Sequence, residues 1–128
     1  MKSTDIVKGP ETNKAPSMFI GRYQPLHEGH IKLMKAVLDE GKDIIIALRD
    51  TPIQETDPYS VEERIDMIKK EFPNAVVYPR SGRIVICAIP DVSEIVFGRG
   101  VGWGVRQIKL DAETEKISAT NIRKKLNK

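Results

Sequence analysis

Short apolar runs recur along this chain and are separated by polar or amphipathic stretches. The run DIIIALR (43–49) is apolar throughout its middle, which is typical of a strand that is covered on both faces. Further runs of similar length also predict strands: SMFIGRY (17–23), NAVVYP (74–79), RIVICAIP (83–90), SEIVFGR (93–99) and VRQIKLD (105–111). Because a turn signal, RSG, separates NAVVYP from RIVICAIP, these two form either a hairpin or one strand with the segment that leads into it.

Apolar residues at helical spacing predict helices between these runs. The stretch 29–41 places its apolar side chains on one face and ends at Gly41. A second helix is predicted to begin at Ser60, which forms a capping box with Glu63. Ser118 is the predicted N-cap of a short basic helix that follows it.

Strands that alternate with helices predict an α/β fold. We expect a Rossmann-like parallel sheet with helices on both faces, in a single domain over residues 18–128. Residues 1–17 are polar and are predicted to form a disordered tail. Ligands of parallel sheets lie beyond the carboxyl ends of the strands. Arg22, Arg49 and Arg99 each end one of the runs, so we expect them in that crevice.

Composition limits the class of protein. A length of 128 residues suits one domain with one core. No apolar run approaches the ~18 residues that span a bilayer, and the N-terminus lacks the apolar core of a signal peptide. The one cysteine, Cys87, lies inside an apolar run, where it serves as a small apolar residue. We therefore expect a cytoplasmic protein that does not engage a membrane.

Basic residues are concentrated near the end of the sequence. The net charge is +3, and residues 116–128 hold five basic residues and no acidic one. Such a cluster binds phosphates or nucleic acid, or forms a solvated helix face. Aromatic residues make up 5% of the chain and do not alternate with the basic ones, so nucleic-acid binding is not expected. Binding to RNA through the basic end would depend strongly on salt and ignore free nucleotides.

The only two histidines, His27 and His30, lie together in HEGH, where the first strand gives way to the first helix. With the helix starting near Glu28 to His30, His27 lies just before the first turn. Free backbone N–H groups and the helix dipole favour an anion there. Gly29 lets a phosphate approach the backbone closely. Two imidazoles beside such a site can donate hydrogen bonds to a phosphorus group that is changing bonds.

Other roles for the histidine pair are weaker. Zinc takes three or four protein ligands, and the chain has no third histidine and only Cys87. The spacing also differs from that of His-Glu-x-x-His metal sites. A role as general base would need a nucleophile elbow, which is absent. The last alternative is that both histidines lie at the surface and have no function.

Two segments of the sequence resemble the signatures of the HxGH-type nucleotidyltransferase superfamily, the cytidylyltransferase-like group. HEGH (27–30) matches the first signature, and ISATNIR (117–123) is similar to the second, an Ile-Ser-x-Thr-x-Ile-Arg/Lys segment that opens a helix. The order of strands and helices between them also agrees. The resemblance covers residues 18–126.

Two branches of that superfamily share features with this sequence. Its length and single domain resemble glycerol-3-phosphate cytidylyltransferase, a small homodimer. GRYQPLHEGH (21–30) is closer to archaeal-type nicotinamide-mononucleotide adenylyltransferases, whose motif begins Gly-Arg-Phe-Gln-Pro. The sequence departs from the cytidylyltransferase pattern at Glu28, at 98–100 and at 114–116. These departures leave the base and the acceptor open.

The resemblance implies an enzyme that moves a nucleoside monophosphate, with CMP favoured, from a nucleoside triphosphate to a small phosphorylated or anionic acceptor. Pyrophosphate is released. The alternative within the superfamily is adenylyl transfer from ATP, as in nicotinamide-mononucleotide adenylyltransferases. An alternative of another class is a regulator that binds nucleotides without catalysis. A homodimer is also expected from the resemblance.

The resemblance and the strand ends together assign roles to particular residues. His27, His30 and Arg123 are expected to act in catalysis. The predicted nucleotide-binding residues are Gly21, Arg22, Tyr23, Gly29, Gly98, Arg99, Ser118, Ala119 and Thr120. Arg49 and Arg64 are predicted to bind the acceptor. Mg²⁺ is expected with the triphosphate, coordinated by phosphate oxygens and water, so no metal site built from protein side chains is predicted.

Overall fold

A four-stranded parallel sheet forms the centre of the computed structural model, which describes residues 2–7, 15–96, 98 and 104–109. The strands of this sheet are β2 (Ser17–Gly21), β3 (Ile44–Asp50), β4 (Val76–Val77) and β5 (Ile84–Pro90), and the helices are α1 (Glu28–Asp39) and α2 (Val61–Glu71). A separate antiparallel pair joins β1 (Lys2–Val7) to β6 (Val105–Lys109). The order of the parallel strands is β2-β3-β5-β4.

The core lies between the sheet and its two helices. Phe19, Ile46 and Ile86 occupy one row across β2, β3 and β5, and such aligned residues point to the same face. Met34 from α1 and Ile68 from α2 belong to the same buried cluster as these isoleucines. The predicted Rossmann-like α/β fold is confirmed. Helices were predicted on both faces of the sheet, and the two described helices, α1 and α2, pack on one face. This arrangement follows from two crossovers in the same direction, β2 to β3 and β3 to β5, because such crossovers are right-handed.

The predicted end of the first helix, at Gly41, and the predicted start of the second helix, at Ser60, are both confirmed. Gly41, at φ +83°, follows the C-terminus of α1, and its N–H donates to the carbonyl of Leu38 at 2.9 Å. At the start of α2, Ser60 Oγ accepts from the Glu63 N–H and Glu63 Oε1 accepts from the Ser60 N–H, each at 3.1 Å. This capping box fixes the direction in which α2 leaves the preceding loop.

Two apolar runs differ from their predicted structure. NAVVYP contributes only the two residues of β4, which run parallel to β5, so no hairpin forms. SEIVFGR forms no strand in its described residues 93–96 and 98, where Ile95 and Val96 are exposed. An apolar run becomes a strand only where a neighbouring strand supplies hydrogen bonds, and a local pattern does not reveal that neighbour.

The segment predicted as a disordered tail contains a strand. β1 pairs with β6 in antiparallel register, with an irregularity between Thr4 and Ile6. A polar strand such as this one has little local signal, because its hydrogen-bond partner lies about a hundred residues away. The β6 residue Arg106 donates to Glu40 at 2.8 Å, which joins the pair to the end of α1. Neither described helix has the length and apolarity that crossing a membrane requires.

Candidate active site

The carboxyl ends of the parallel strands form the crevice in which the sequence placed the site. β2 ends at Gly21, directly before Arg22, and β3 ends at Asp50, directly after Arg49. α1 begins six residues beyond Arg22, with His27 as its N-cap. The predicted position of the HEGH motif, at the start of the first helix and beyond the first strand of the sheet, is therefore confirmed.

The two histidines themselves build the first turn of α1. The Gly29 N–H donates to His27 Nδ1 at 3.1 Å, and the His27 N–H donates to His30 Nδ1 at 3.1 Å. This is a capping box in which imidazoles replace the usual Ser/Thr and Glu/Gln pair. Each ring is thus fixed by a backbone N–H that donates to its Nδ1.

The geometry of the rings favours their neutral form. The His27 and His30 rings stack with centroids 3.7 Å apart and 19° between their planes, and Tyr23 meets His30 edge-on at 4.7 Å. Burial, with a smaller contribution from His27, lowers the pKa of His30 to about 4. Burial also lowers the pKa of His27. Since Nδ1 of each neutral ring accepts a hydrogen bond, each proton resides on Nε2. The site therefore presents two Nε2–H donors.

Acid should destabilise the fold through His30. The pKa of His30 is about 4 in the folded chain and near 6.5 when unfolded, so between these values the unfolded state binds more protons. The His30 contribution to stability is complete above pH 6.5 and is lost as the pH falls toward 4. We expect the melting temperature of the wild type to fall more over this window than that of His30→Gln, which cannot titrate. Circular dichroism melts at several pH values provide the comparison, and parallel profiles would contradict the prediction.

Tyr23, which was predicted to bind the nucleotide, has its side chain in the core. Its side chain is buried, which raises the pKa of its hydroxyl, and its backbone lies in the left-handed region at φ +49°. This conformation is uncommon for a residue with a large side chain. It turns the ring back onto Gly21 and against His30. Tyr23 therefore supports the histidine pair from behind, a position that the sequence motif did not reveal.

Gly21 is required by this packing. A Cβ at Gly21 would lie 3.0–3.3 Å from three atoms of the Tyr23 ring. We expect Gly21→Ala to lower the free energy of unfolding by about 1–3 kcal/mol, the usual cost of overpacking. Gly98→Ala is the matched control, since a Cβ there meets no atom of the described residues within 4 Å. Urea denaturation of both variants measures the difference, and equal stabilities would show that the Tyr23 ring moves aside freely.

Arg22 and Arg49, at the carboxyl ends of β2 and β3, each form an ion pair with an aspartate. Arg22 Nη1 lies 3.1 Å from Asp57 Oδ1, and Arg49 lies 2.7 Å from Asp91 Oδ1. The Arg22 side chain is 43% exposed, and that of Arg49 is 31% exposed. Both side chains therefore reach solvent next to the carboxyl ends of β2 and β3, with part of their charge already neutralised.

Arg64 occupies a different environment from the acceptor-facing one that the sequence predicted. The residue is 1% exposed. Its Nη1 donates to the carbonyls of Arg22 and Arg49, each at 2.8 Å, and its Nε donates to the carbonyl of Ser60 at 3.2 Å. Burial lowers the pKa of Arg64, while the charges of Asp50 and Asp57 raise it. The side chain thus joins the ends of β2 and β3 to the start of α2.

Sequence reasoning missed two polar residues that shape the crevice. Gln24 and Tyr59 exchange two hydrogen bonds of 2.9 Å, one from Gln24 Nε2 to the Tyr59 carbonyl and one from the Tyr59 N–H to Gln24 Oε1. Asp57 is 3% exposed and binds Arg22. Gln24 lies within GRYQPLHEGH, so the motif itself was a signal. Asp57 lies in a polar loop, where no local pattern distinguishes a buried carboxylate from a solvated one.

The remaining predicted residues divide into two groups. Gly29 is buried at the start of α1, with its N–H bound to His27, and Gly98 is exposed. The others lie outside the described residues: Arg99, Ser118, Ala119, Thr120 and Arg123. Among residues 15–96, 98 and 104–109, no group of three or more His, Cys, Asp or Glu side chains is arranged to hold a metal ion.

These features together have the chemistry that an anion such as a phosphate requires. Two neutral imidazoles offer Nε2–H donors at the N-terminus of α1, where the helix dipole favours negative charge. Arg22 supplies a cation at the end of the adjacent strand. Neither ring is placed to activate a nucleophile of the protein, since Nδ1 of each is occupied by a backbone N–H. The arrangement can therefore bind and stabilise charge on phosphate oxygens.

A family model described as cytidylyltransferase-like matches residues 18–81, half of the chain. The chain belongs to the cytidylyltransferase-like family. The matched residues include α1, β3, α2 and all of β2 except Ser17. They therefore contain the histidine pair, Arg22, Arg49 and Arg64. The superfamily that the HEGH motif indicated is confirmed.

Three curated relatives illustrate what the chain is similar to. A nicotinamide-nucleotide adenylyltransferase of Thermococcus sibiricus is 31% identical over 78 residues, which are 59% of this chain and 41% of that protein. One of Caldivirga maquilingensis is 36% identical over 77 residues, 59% of this chain and 42% of that protein. A third, of Pyrococcus furiosus, is 28% identical over 78 residues, with 59% and 41% covered. The chain spans about two-fifths of the length of these relatives.

Proposed function

We propose that this protein is a nucleotidyltransferase that moves the adenylyl group of ATP to a nicotinamide-mononucleotide-type acceptor and releases pyrophosphate. The observation that carries the proposal is the pair of stacked, neutral histidines whose Nε2–H groups are the donors at the start of α1. Membership of the cytidylyltransferase-like family supports the reaction type. The names of the relatives support ATP and a nicotinamide nucleotide, rather than the CMP transfer that the sequence favoured.

The reaction requires two anions to meet. An oxygen of the acceptor phosphate forms a bond to the α-phosphorus of ATP, and the bond from that phosphorus to the α,β-bridging oxygen breaks. Pyrophosphate carries away the electron pair of that bond. Such transfers need alignment and neutralisation of charge more than a covalent intermediate on the enzyme.

The described residues fit these needs. His27 and His30 donate from Nε2 to phosphate oxygens as charge shifts toward the leaving pyrophosphate. These hydrogen bonds strengthen as negative charge develops on the oxygens, so they stabilise the transition state more than the ground state. Arg22 supplies positive charge beside them. Arg49, beside Asp91 at the end of β3, is assigned to the acceptor.

Other parts of the proposal rest on the resemblance. Ser118, Ala119 and Thr120 are assigned to the β- and γ-phosphates, and Arg123 is assigned to the same phosphates. Gly98 and Arg99 are assigned to the nucleotide. Mg²⁺ supplies charge neutralisation when it is bound with the triphosphate. The described residues include no group of three His, Cys, Asp or Glu side chains arranged to hold the ion, so phosphate oxygens and water would be its ligands.

Pyrophosphate release tests the proposal directly. The purified protein is incubated with MgCl₂ and either ATP plus nicotinamide mononucleotide or CTP plus glycerol 3-phosphate, with each nucleotide alone as the control. We expect release above background with the first pair, at least ~10-fold faster than with the second, a ratio that a site suited to one base readily provides. Faster release with the CTP pair would replace adenylyl by cytidylyl transfer.

The same samples distinguish the enzyme from a nucleotide-binding regulator. A ligand that binds the native state raises the melting temperature. A rise with ATP without release of pyrophosphate from any pair would favour a regulator. No rise with ATP or CTP, and no release, would overturn the proposal as a whole.

A further inference from the structure

Asp57 is an unusual residue for its position. It lies in the loop between β3 and α2, yet it is 3% exposed. A buried carboxylate is costly unless charges and hydrogen bonds compensate it. Here side-chain donors of neighbouring residues bind both carboxylate oxygens. Arg22 Nη1 binds Oδ1 at 3.1 Å, Gln54 Nε2 binds Oδ2 at 2.8 Å, and Thr56 Oγ1 binds Oδ2 at 3.2 Å.

The backbone around Asp57 is also fixed. Asp57 and Gln54 exchange two backbone hydrogen bonds, each of 3.0 Å, which close the loop on itself. Two residues later, Tyr59 exchanges two hydrogen bonds with Gln24. The loop is therefore attached to residues on both sides of Tyr23. The contacts within the loop therefore fix the position of the Asp57 carboxylate without Arg22.

Arg22 shows the opposite pattern. Its carbonyl accepts from the buried Arg64, so its backbone is fixed. Its side chain is 43% exposed, and among the described residues Nη1 is the one guanidinium nitrogen with a hydrogen bond. A flexible arginine side chain loses conformational freedom when it binds a ligand. The buried Asp57 carboxylate holds Nη1 of Arg22, so the side chain has lost part of this freedom before a ligand binds.

We propose that Asp57 is a positioning residue for Arg22, which it holds with the rest of the guanidinium directed to the phosphate chain of the nucleoside triphosphate. This inference rests on the proposed function. A guanidinium that binds a ligand is effective only when it is held in position, because small displacements in a site lower the rate strongly. Asp57 touches no substrate in this role and acts through Arg22 alone.

A double-mutant cycle separates positioning from simple support of the fold. We expect Arg22→Gln to lower kcat/KM for ATP by ~10²-fold and Asp57→Ala to lower it by ~10-fold, as for residues that orient a ligand-binding group. Arg22→Gln is chosen because it keeps a side-chain N–H near Asp57. The double variant is expected to match Arg22→Gln in kcat/KM, because Asp57 has no second route to the substrate.

Melting temperatures give the contrasting readout. Asp57→Ala should lower the melting temperature in both backgrounds, since it also removes the contacts with Gln54 and Thr56. A purely structural Asp57 would lower kcat/KM by the same factor with and without Arg22, and that result would overturn the inference. Asp43→Ala is the matched control. It breaks an exposed 3.2 Å pair with Arg83 and is expected to change neither kcat/KM nor the melting temperature noticeably.

Two outcomes keep this inference distinct from the proposed function. If the wild type releases no pyrophosphate, the proposed function fails, and the same cycle is measured as ATP affinity by calorimetric titration. If the wild type is active and Asp57→Ala retains full kcat/KM, the inference alone fails. Should Asp57→Ala not fold, Asp57→Asn keeps the size and one carbonyl acceptor. Its loss of kcat/KM is expected to be smaller and again absent in the Arg22→Gln background.

Discussion

Replacing His27 by asparagine is expected to lower turnover by ~10²-fold or more while leaving the stability of the fold nearly unchanged. Asparagine is a preferred N-cap residue, so it can still accept from the backbone at the start of α1. It has no group at the position of Nε2, and the loss of one positioned donor to a developing anion costs about this factor. Turnover with ATP and nicotinamide mononucleotide is measured together with the melting temperature.

His30→Gln is the companion variant. Glutamine at the third helical position completes a capping box by accepting from the N-cap N–H, which is what His30 Nδ1 does here. We expect a similar loss of turnover and a melting temperature close to wild type at neutral pH. His27→Ala serves as the contrasting control, because it removes the cap as well and should lower stability by about 1 kcal/mol. Near-normal turnover of His27→Asn or His30→Gln would show that the replaced histidine caps the helix and has no part in catalysis.

These variants separate two functions that the sequence presented as one. HEGH was predicted to lie at a helix start because the change from apolar run to helical spacing is local and spans only a few residues. The identity of the capping groups was not predicted, since imidazoles rarely take the places of Ser/Thr and Glu/Gln. The structure makes the two roles compatible, because Nδ1 of each ring serves the helix and Nε2 is left for the ligand.

Contacts between distant segments were the part that the sequence did not reveal. Arg22 and Asp57 are 35 residues apart, and Arg64 lies 42 residues from the carbonyl of Arg22 that it binds. A charged residue in a polar loop or on a helix has the same local pattern whether it is buried or solvated. The central parallel strands were more accessible, because continuous apolar runs predict buried parallel strands. The run SEIVFGR shows the limit of that rule in its described residues.

Arg64→Met is expected to destabilise the fold by on the order of 3–5 kcal/mol, the range for removing one partner from a buried charged network. Methionine has a similar length and no donor. The carbonyl of Arg22 would lose the donor that lies 2.8 Å away, and the negative charges of Asp50 and Asp57 would lose a nearby cation. An unfilled buried acceptor alone costs about 1–3 kcal/mol. Urea denaturation followed by circular dichroism measures the loss.

Arg83→Met is the matched control for this effect. Arg83 also donates to two backbone carbonyls, those of Leu38 and Lys42, at 3.2 and 3.3 Å, but its side chain is 61% exposed. Water can replace those hydrogen bonds, so the loss should stay below about 1 kcal/mol. If Arg64 bound the acceptor and had little structural role, Arg64→Met would affect catalysis and not stability. Arg64→Met would then raise KM for the acceptor and leave the free energy of unfolding close to wild type, and the buried contacts with the ends of β2 and β3 would be of little energetic importance.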